Sequence, residues 1–330
     1  MVPNARFTEL LADIEPSPTT TKGAAAAHRA VRDHLRSHGT FRSRWVRDFL
    51  AGSYARDTAI RPRTSDDGVD RPDVDTVIVT NFGPNDHPDD VLGELAGALE
   101  KDFTVERINK RSVRLVTPGA EIDVVPVVET GTAFELPDRE LGRWKSTNPP
   151  GHIEWSERQN QEFVGRFKPL VKLLKWWRRE NRTGKRPKGF VLEVLVSLHA
   201  PGDQSHYGEA FATMLENITA AYRALAEAGV KPSIADPSLP GSDILSKVSI
   251  TDWKNFIERV RVHAGYARRA QDEGDVEEAT RLWRRLFGER FRSTASAAKA
   301  ASLATAATAP RAYTFPDAPA APPNKPRGFA

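Results

Sequence analysis

The chain has 330 residues, 48 basic against 44 acidic side chains, a formal net charge of +4 and no cysteine. That length supports a large core and two lobes more readily than one, and the lack of thiols excludes disulfides, thiolate zinc sites and a cysteine nucleophile. The small positive balance suits anionic ligands such as nucleoside triphosphates and is too weak to argue for duplex nucleic acid. The N-terminus lacks a basic flank followed by an apolar run, and no segment approaches ~18 apolar residues. A cytoplasmic protein with no membrane association is expected.

Residues 5–14 suit a short helix, interrupted by Pro16 and Pro18. Thr20 or Thr21 is a candidate cap for a helix over 22–38 that ends near Gly39. Trp45, Phe49 and Leu50 mark 44–51 as a strand leading to Gly52-Ser53, a tight turn that opens a short helix. Such a turn offers backbone N–H groups and a hydroxyl to a phosphate, and Thr58 lies where that helix begins to close. A polar loop over 63–72 precedes a half-buried strand, Asp73–Thr80, which the Pro/Asn/Gly cluster at 81–88 ends. A helix over 89–101 and β segments over 103–109 and 111–117 follow. Pro118-Gly119 then turns into Glu121-Ile122-Asp123-Val124-Val125-Pro126-Val127. Residues 129–151, rich in Gly, Pro and charge, read as an exposed loop.

Within this region Asp73 and Asp75 stand two apart at the head of an apolar run. In an extended strand, side chains two apart share a face. The two carboxylates therefore converge, while Val74 points into packing. Asp123, flanked by Ile122 and Val124, lies on a later strand at a plausible distance for a neighbour in the same sheet. Three carboxylates so placed repel one another and raise one another's pKa values. Divalent cations bound to carboxylate oxygens and substrate phosphates relieve that repulsion. An Asp-x-Asp pair alone is more often a solvated strand end than chemistry. The Gly52-Ser53 turn about twenty residues earlier and the third acid make metal-assisted phosphoryl transfer the leading reading.

From 153 on the pattern is helical. Phe163, Phe167, Leu170, Leu174 and Trp177 recur at spacings of three and four, an apolar stripe for a core. Helices are also expected over 188–200, 206–229, 251–273 and 276–288. Lys168, Lys172, Lys175 and Arg179 share one helical face, either a solvated surface or a contact for a triphosphate. The eight histidines are scattered without metal-ligand spacing, and His199 reads as a helix-end residue. After Arg292 the composition turns to Ala, Ser, Thr and Pro, so 293–330 is expected to be a flexible tail. The outcome is an α+β lobe over 1–150, a helical lobe over 151–292 and the tail, with a ligand cleft expected between the lobes.

Gly52-Ser53 with the Asp73-x-Asp75 pair and Asp123 resembles the polymerase-beta-like nucleotidyltransferases. The fuller run, Gly52-Ser53-Tyr54-Ala55-Arg56-Asp57-Thr58-Ala59-Ile60-Arg61-Pro62 followed by Arg71-Pro72-Asp73-Val74-Asp75, is similar to the bacterial cGAS/DncV-like nucleotidyltransferases, relatives of oligoadenylate synthetase. Lys175-Trp176-Trp177-Arg178, Pro187-Lys188-Gly189-Phe190 before Leu192-Glu193, and Leu282-Trp283-Arg284-Arg285-Leu286-Phe287-Gly288 carry the likeness, closest to the D clade, to about residue 292.

The resemblance implies a polymerase-beta-like lobe with a mixed β-sheet, an oligoadenylate-synthetase-like helical lobe and an active site between them. It implies template-independent condensation of ATP, with GTP or other nucleoside triphosphates, into a cyclic di- or trinucleotide messenger, adenine-containing, for anti-phage defence. Two Mg²⁺ ions, with Mn²⁺ as substitute, would be held by the catalytic trio Asp73, Asp75 and Asp123. Gly52 and Ser53 would hold the β- and γ-phosphates, and Lys172, Lys175 and Lys188 would contact nucleotide, Lys172 foremost. In relatives the position of Gly189 often carries a serine that reads the base, so base choice stays open here; Phe190 or Tyr54 could stack on a base or belong to the core.

Without cysteine, the zinc-bound DNA-gripping insertion of the animal enzyme is excluded in its Cys form, and no DNA is required. Regulators from a defence operon and a ubiquitin-like conjugation enzyme acting on Ala330 are the partners implied. Transfer to an RNA end or small acceptor, and a non-catalytic nucleotide-binding relative, are the alternatives.

Overall fold

The computed structural model describes residues 1–65, 68–131, 133–181 and 187–293; the expected tail, from 294 through Ala330, lies outside them. The chain divides into two compact units. One is Pro16–Glu157; the other joins Met1–Glu15 to the residues from Arg158 onward. Helix α1 (Ala5–Ile14) thus belongs with the C-terminal helices.

The first unit opens with α2 (Pro18–Ser37), capped by Ser17, whose hydroxyl accepts from the Thr20 N–H at 3.1 Å. Pro18 sits in the first turn, where a missing N–H is harmless, so the helix starts earlier than a Thr20 or Thr21 cap implies. Then come β1 (Trp45–Ala51), α3 (Gly52–Ala55), the two-residue strands β2 (Thr64–Ser65) and β3 (Gly68–Val69), β4 (Asp73–Thr80), α4 (Pro88–Leu99), β5 (Thr104–Ile108), β6 (Val113–Val116) and β7 (Glu121–Thr130). The main sheet is mixed, in the order β1-β4-β7-β6-β5, with β4 and β7 parallel and the other three pairings antiparallel.

A larger expectation also fails in this unit. Residues 129–151 are not an exposed loop. β7 runs on to Thr130 and pairs with β8 (Ala133–Asp138), which pairs with β9 (Arg143–Thr147). Gly131 and Gly142 have φ of 66° and 59°, a conformation glycine adopts without strain. They mark tight turns between strands, which composition alone renders as loop. Phe134, on β8, is buried against Phe49 and Val79.

The alternation of β4 and β7 sorts their side chains cleanly. Val74, Ile78, Ile122 and Val124 enter the larger core with Leu35 of α2 and Leu92, Leu95 and Leu99 of α4. Val77, Val79 and Val127 build a smaller cluster on the opposite face. Asp73, Asp75 and Asp123 have the same parity as that second set, so α2 and α4 cover the sheet behind the acids.

On the covered face His28 of α2 is fully buried, its Nδ1 2.8 Å from the Thr76 hydroxyl. Burial, then the Arg32 and Arg29 charges, lowers its pKa to about 3. An unfolded histidine takes its proton near 6.5, so stability is complete above that pH and declines as pH falls from 6.5 toward 3. We expect urea unfolding to show a loss of up to about 1.4 kcal/mol per pH unit from this group. His28→Gln should flatten the slope; an unchanged slope would assign it elsewhere.

The second unit contains α5 from Arg158 (α5 spans Pro149–Glu162), then α6 (Phe167–Glu180), α7 (Gly189–His199), α8 (Tyr207–Glu227), α9 (Ile250–Asp272) and α10 (Val276–Phe287). The predicted stripe Phe163, Phe167, Leu170, Leu174 and Trp177 is buried throughout. His199 closes α7, its Nε2 3.1 Å from the Tyr222 hydroxyl. Among the described residues no helix is long and apolar enough to cross a membrane.

Candidate active site

The acids reach one place because of strand register. β4 and β7 run parallel with Asp75 opposite Asp123 and Asp73 opposite Glu121. β1 is antiparallel to β4 with Ala51 opposite Asp75. The next residue, Gly52, is thereby delivered beside the Asp75 carboxylate. A Cβ on Gly52 would lie 1.8 Å from Asp75 Oδ2 and 2.7 Å from its Cγ, and Gly52 has φ of 67°. Both the close approach and the left-handed backbone require glycine here.

Gly52→Ala should therefore push the Asp75 carboxylate aside, lower turnover at least about a hundredfold, and destabilise the fold by about 1–2 kcal/mol through the backbone conformation. Pyrophosphate release and a thermal melt measure the two effects. Near-normal turnover would mean that the Asp75 position is immaterial.

The Gly52-Ser53 turn does open a short helix, α3, with the Thr58 N–H returning to the Ser53 carbonyl at 2.9 Å. Tyr54 is packed in the sheet's core, not held out for a base, and burial raises its pKa. Arg56, also buried, sets a positive charge near Asp75.

Asp123 is held by three donors. Asn109 Nδ2 and Ser112 Oγ, from the β5–β6 turn, each donate to its Oδ1 at 2.9 Å. Arg114, paired with Asp123 in the β6–β7 register, donates through Nη1 to Asp123 Oδ2 at 2.9 Å and to Asp73 Oδ1 at 2.7 Å. Among the described residues no group of three or more acids or histidines is placed closely enough to hold a metal ion as it stands.

Asp75, half-buried, accumulates the unfavourable charge. Burial first, then the Asp73 and Asp123 carboxylates, push its pKa up to about 7, against the pull of Arg56 and Arg114. A further positive charge at this cup would be welcome.

Arg114, Asn109 and Ser112 were missed in the sequence. A signal was there: between Val113 and Leu115, both fully buried, Arg114 is the polar member of an alternating strand. Such a strand beside an acid-bearing one puts its charge on the acids' face.

The nominated lysines belong to the helical unit. Lys172 and Lys175, each about 5–6 % exposed, are not on a solvated face. Lys172 Nζ is 2.7 Å from Glu15 Oε1, and Lys175 Nζ is 2.7 Å from Oε1 of the fully buried Glu193. Lys188 is the exposed residue before α7, and a Cβ on Gly189 would meet Lys175 Cε at 3.3 Å.

A mixed sheet with two neighbouring strands presenting three aspartates beside a Gly-Ser turn is the architecture of a nucleotidyltransferase. Comparison with known proteins refines this. Residues 1–160 match the Second Messenger Oligonucleotide or Dinucleotide Synthetase domain. The chain is 42 % identical to a cyclic AMP-AMP-AMP synthase of Acinetobacter sp., covering 100 % of this chain and 98 % of the relative. It is 26 % identical to a cyclic AMP-AMP-GMP synthase of Enterobacter hormaechei, covering 87 % and 91 %. In three dimensions it is similar to Bradyrhizobium diazoefficiens CdnG, solved in complex with GTP, at a TM-score of 0.73 and 19 % identity over 90 % of this chain and 97 % of that one. The chain belongs to the bacterial cGAS/DncV-like nucleotidyltransferases, the cyclic oligonucleotide synthases.

Proposed function

We propose that this enzyme condenses ATP into a cyclic trinucleotide of adenylate, releasing one pyrophosphate per bond, as a messenger that activates an effector in anti-phage defence. The observation that carries the chemistry is the convergence of Asp73, Asp75 and Asp123 at the register positions beside Gly52. Adenine is favoured because the relative sharing 42 % of its residues is a cyclic AMP-AMP-AMP synthase, whereas the 26 % relative makes a product containing GMP.

The donors fit divalent cations: hard oxygens on one face, a glycine cradle that a Cβ would fill, and a carboxylate pushed up to about 7 by burial and then by its acidic neighbours. Two Mg²⁺ or Mn²⁺ ions held by Asp73, Asp75 and Asp123 would acidify the attacking ribose hydroxyl and neutralise the triphosphate. The chain does the positioning. In each cycle the hydroxyl oxygen bonds to the α-phosphorus as the bond to the leaving pyrophosphate breaks, and Asp123, fixed by Asn109 and Ser112, sits to take the hydroxyl proton. Ser53 and the Gly52 backbone would bind the β- and γ-phosphates. A nucleotide contact by Lys172 requires exchange of its Glu15 partner for phosphate, which an exposed glutamate permits more readily than the buried Glu193 does for Lys175. Conjugation at Ala330 is a separate proposal, tested by deleting residues 325–330: catalysis should persist while conjugates disappear in cells carrying the transfer enzymes.

The purified protein incubated with α-labelled ATP and Mg²⁺ should give a phosphatase-resistant product with the mass of cyclic tri-adenylate. Linear, phosphatase-sensitive product would favour transfer to an open end, and an absence of magnesium-dependent turnover would favour a non-catalytic relative.

A further inference from the structure

Arg114 sits where the cup's charge has to be balanced. Its side chain is 11 % exposed, its Nη1 spans Asp73 and Asp123, and its Nη2 lies 3.1 Å from Asp73 Oδ1. The lone pairs that accept these N–H groups are among those a cation would use, so guanidinium and cation compete for the same oxygens. The guanidinium also has acids on its outer side. Glu121 Oε2 is 3.3 Å from Nη2, and Glu106 Oε2 is 3.8 Å from Nε. The latter distance is too long for a hydrogen bond, and buried Nε has no hydrogen-bond partner. A buried guanidinium N–H without an acceptor is unfavourable, and a short outward movement toward Glu106 would satisfy it.

We propose that Arg114 is a two-position latch on the metal site. Inward, it bridges Asp73 and Asp123 and holds the carboxylates together in the metal-free enzyme. Outward, it pairs with Glu106 and Glu121 and yields the aspartate oxygens to the cations. Arg114 thereby sets how tightly metal binds before nucleotide arrives. It is a positioning residue. The inference rests on the reading of Asp73, Asp75 and Asp123 as metal ligands.

The test is Mn²⁺ binding to the full chain without nucleotide, followed by electron paramagnetic resonance. Arg114→Met should bind Mn²⁺ at least about tenfold more tightly than the native protein, and its metal-free melting temperature should fall and be restored by Mn²⁺. Glu106→Gln should weaken binding about threefold or more in the native background and not at all in the Arg114→Met background. Should Arg114→Met not fold, Arg114→Gln serves for the same measurement. Unchanged or weaker binding in the Arg114 variants overturns the latch. Equal weakening by Glu106→Gln in both backgrounds overturns the outer position, leaving only a general field from that carboxylate. Should neither native protein nor variant bind Mn²⁺ in a manner abolished by Asp73→Asn, the metal-ligand reading itself fails.

Discussion

Asp75→Asn is expected to lose magnesium-dependent turnover by about 10²–10³-fold or more while melting, in the absence of metal at pH 8, at a higher temperature than the native protein. The opposed movements follow from the Asp75 environment. An unfolded aspartate ionises near 3.8, whereas in the fold burial and the flanking Asp73 and Asp123 charges hold Asp75 protonated up to about 7. Between those values the native state binds a proton that the unfolded state lacks. The metal-free protein therefore loses stability as pH rises from about 4 through 7, and the whole penalty stands above 7. Asparagine matches the shape of the protonated acid and carries no charge at any pH, so it removes the penalty. It also removes an anionic oxygen on which the proposed chemistry relies.

The stability difference should shrink toward zero near pH 4, where both side chains are neutral. Circular dichroism melts across pH 4–8, paired with initial rates of pyrophosphate release at pH 8, measure both arms. A lower melting point for the variant would mean that Asp75 is held by favourable partners, not strained by its neighbours. Turnover within tenfold of native would remove Asp75 from the chemistry.

Much of the sheet was legible because its signals are local. Asp73 and Asp75 sit two apart in a run whose odd and even members have different jobs, and Gly52-Ser53 announces a turn by composition. What could not be read was register. Nothing in residues 111–117 says that Arg114 lies opposite Asp123 until β6 and β7 are paired, and nothing in 45–51 says that Ala51 faces Asp75. These are tertiary facts, set by packing across strands. β8 and β9 were lost for another reason: Gly131, Pro137 and Gly142, with the charged run Asp138-Arg139-Glu140 between them, outweigh the apolar signal of Phe134, Leu136 and Trp144. Short strands bounded by tight turns carry few residues in which to show a period.

The cationic face of α6 is the case in which periodicity misled most. Spacing showed correctly that Lys172 and Lys175 are close along one helix, and of the two readings left open the solvated surface is excluded for both, which are buried. Their partners are distant in the chain, Glu15 on one side and Glu193 on α7 on the other. A buried ion pair is invisible to any window that contains only one of its members.

The two pairs make a comparison with a large expected effect. Lys175→Met should destabilise the protein by about 3–5 kcal/mol, because it leaves Glu193, which is 0 % exposed, without its 2.7 Å ammonium partner. Lys172→Met should cost less, on the order of 1 kcal/mol, since the Glu15 side chain is 42 % exposed and can be hydrated when its partner goes. Adding Glu193→Leu to Lys175→Met should recover much of the loss, because it also removes the buried carboxylate whose charge the ammonium had balanced. Equilibrium urea unfolding of the four proteins gives the values directly. Equal losses from the two lysine changes would show that burial of the partner is not what decides the cost. A double variant as unstable as Lys175→Met alone would place the loss in packing of the side chain at position 175, whose Cε lies 3.3 Å from where a Cβ on Gly189 would stand.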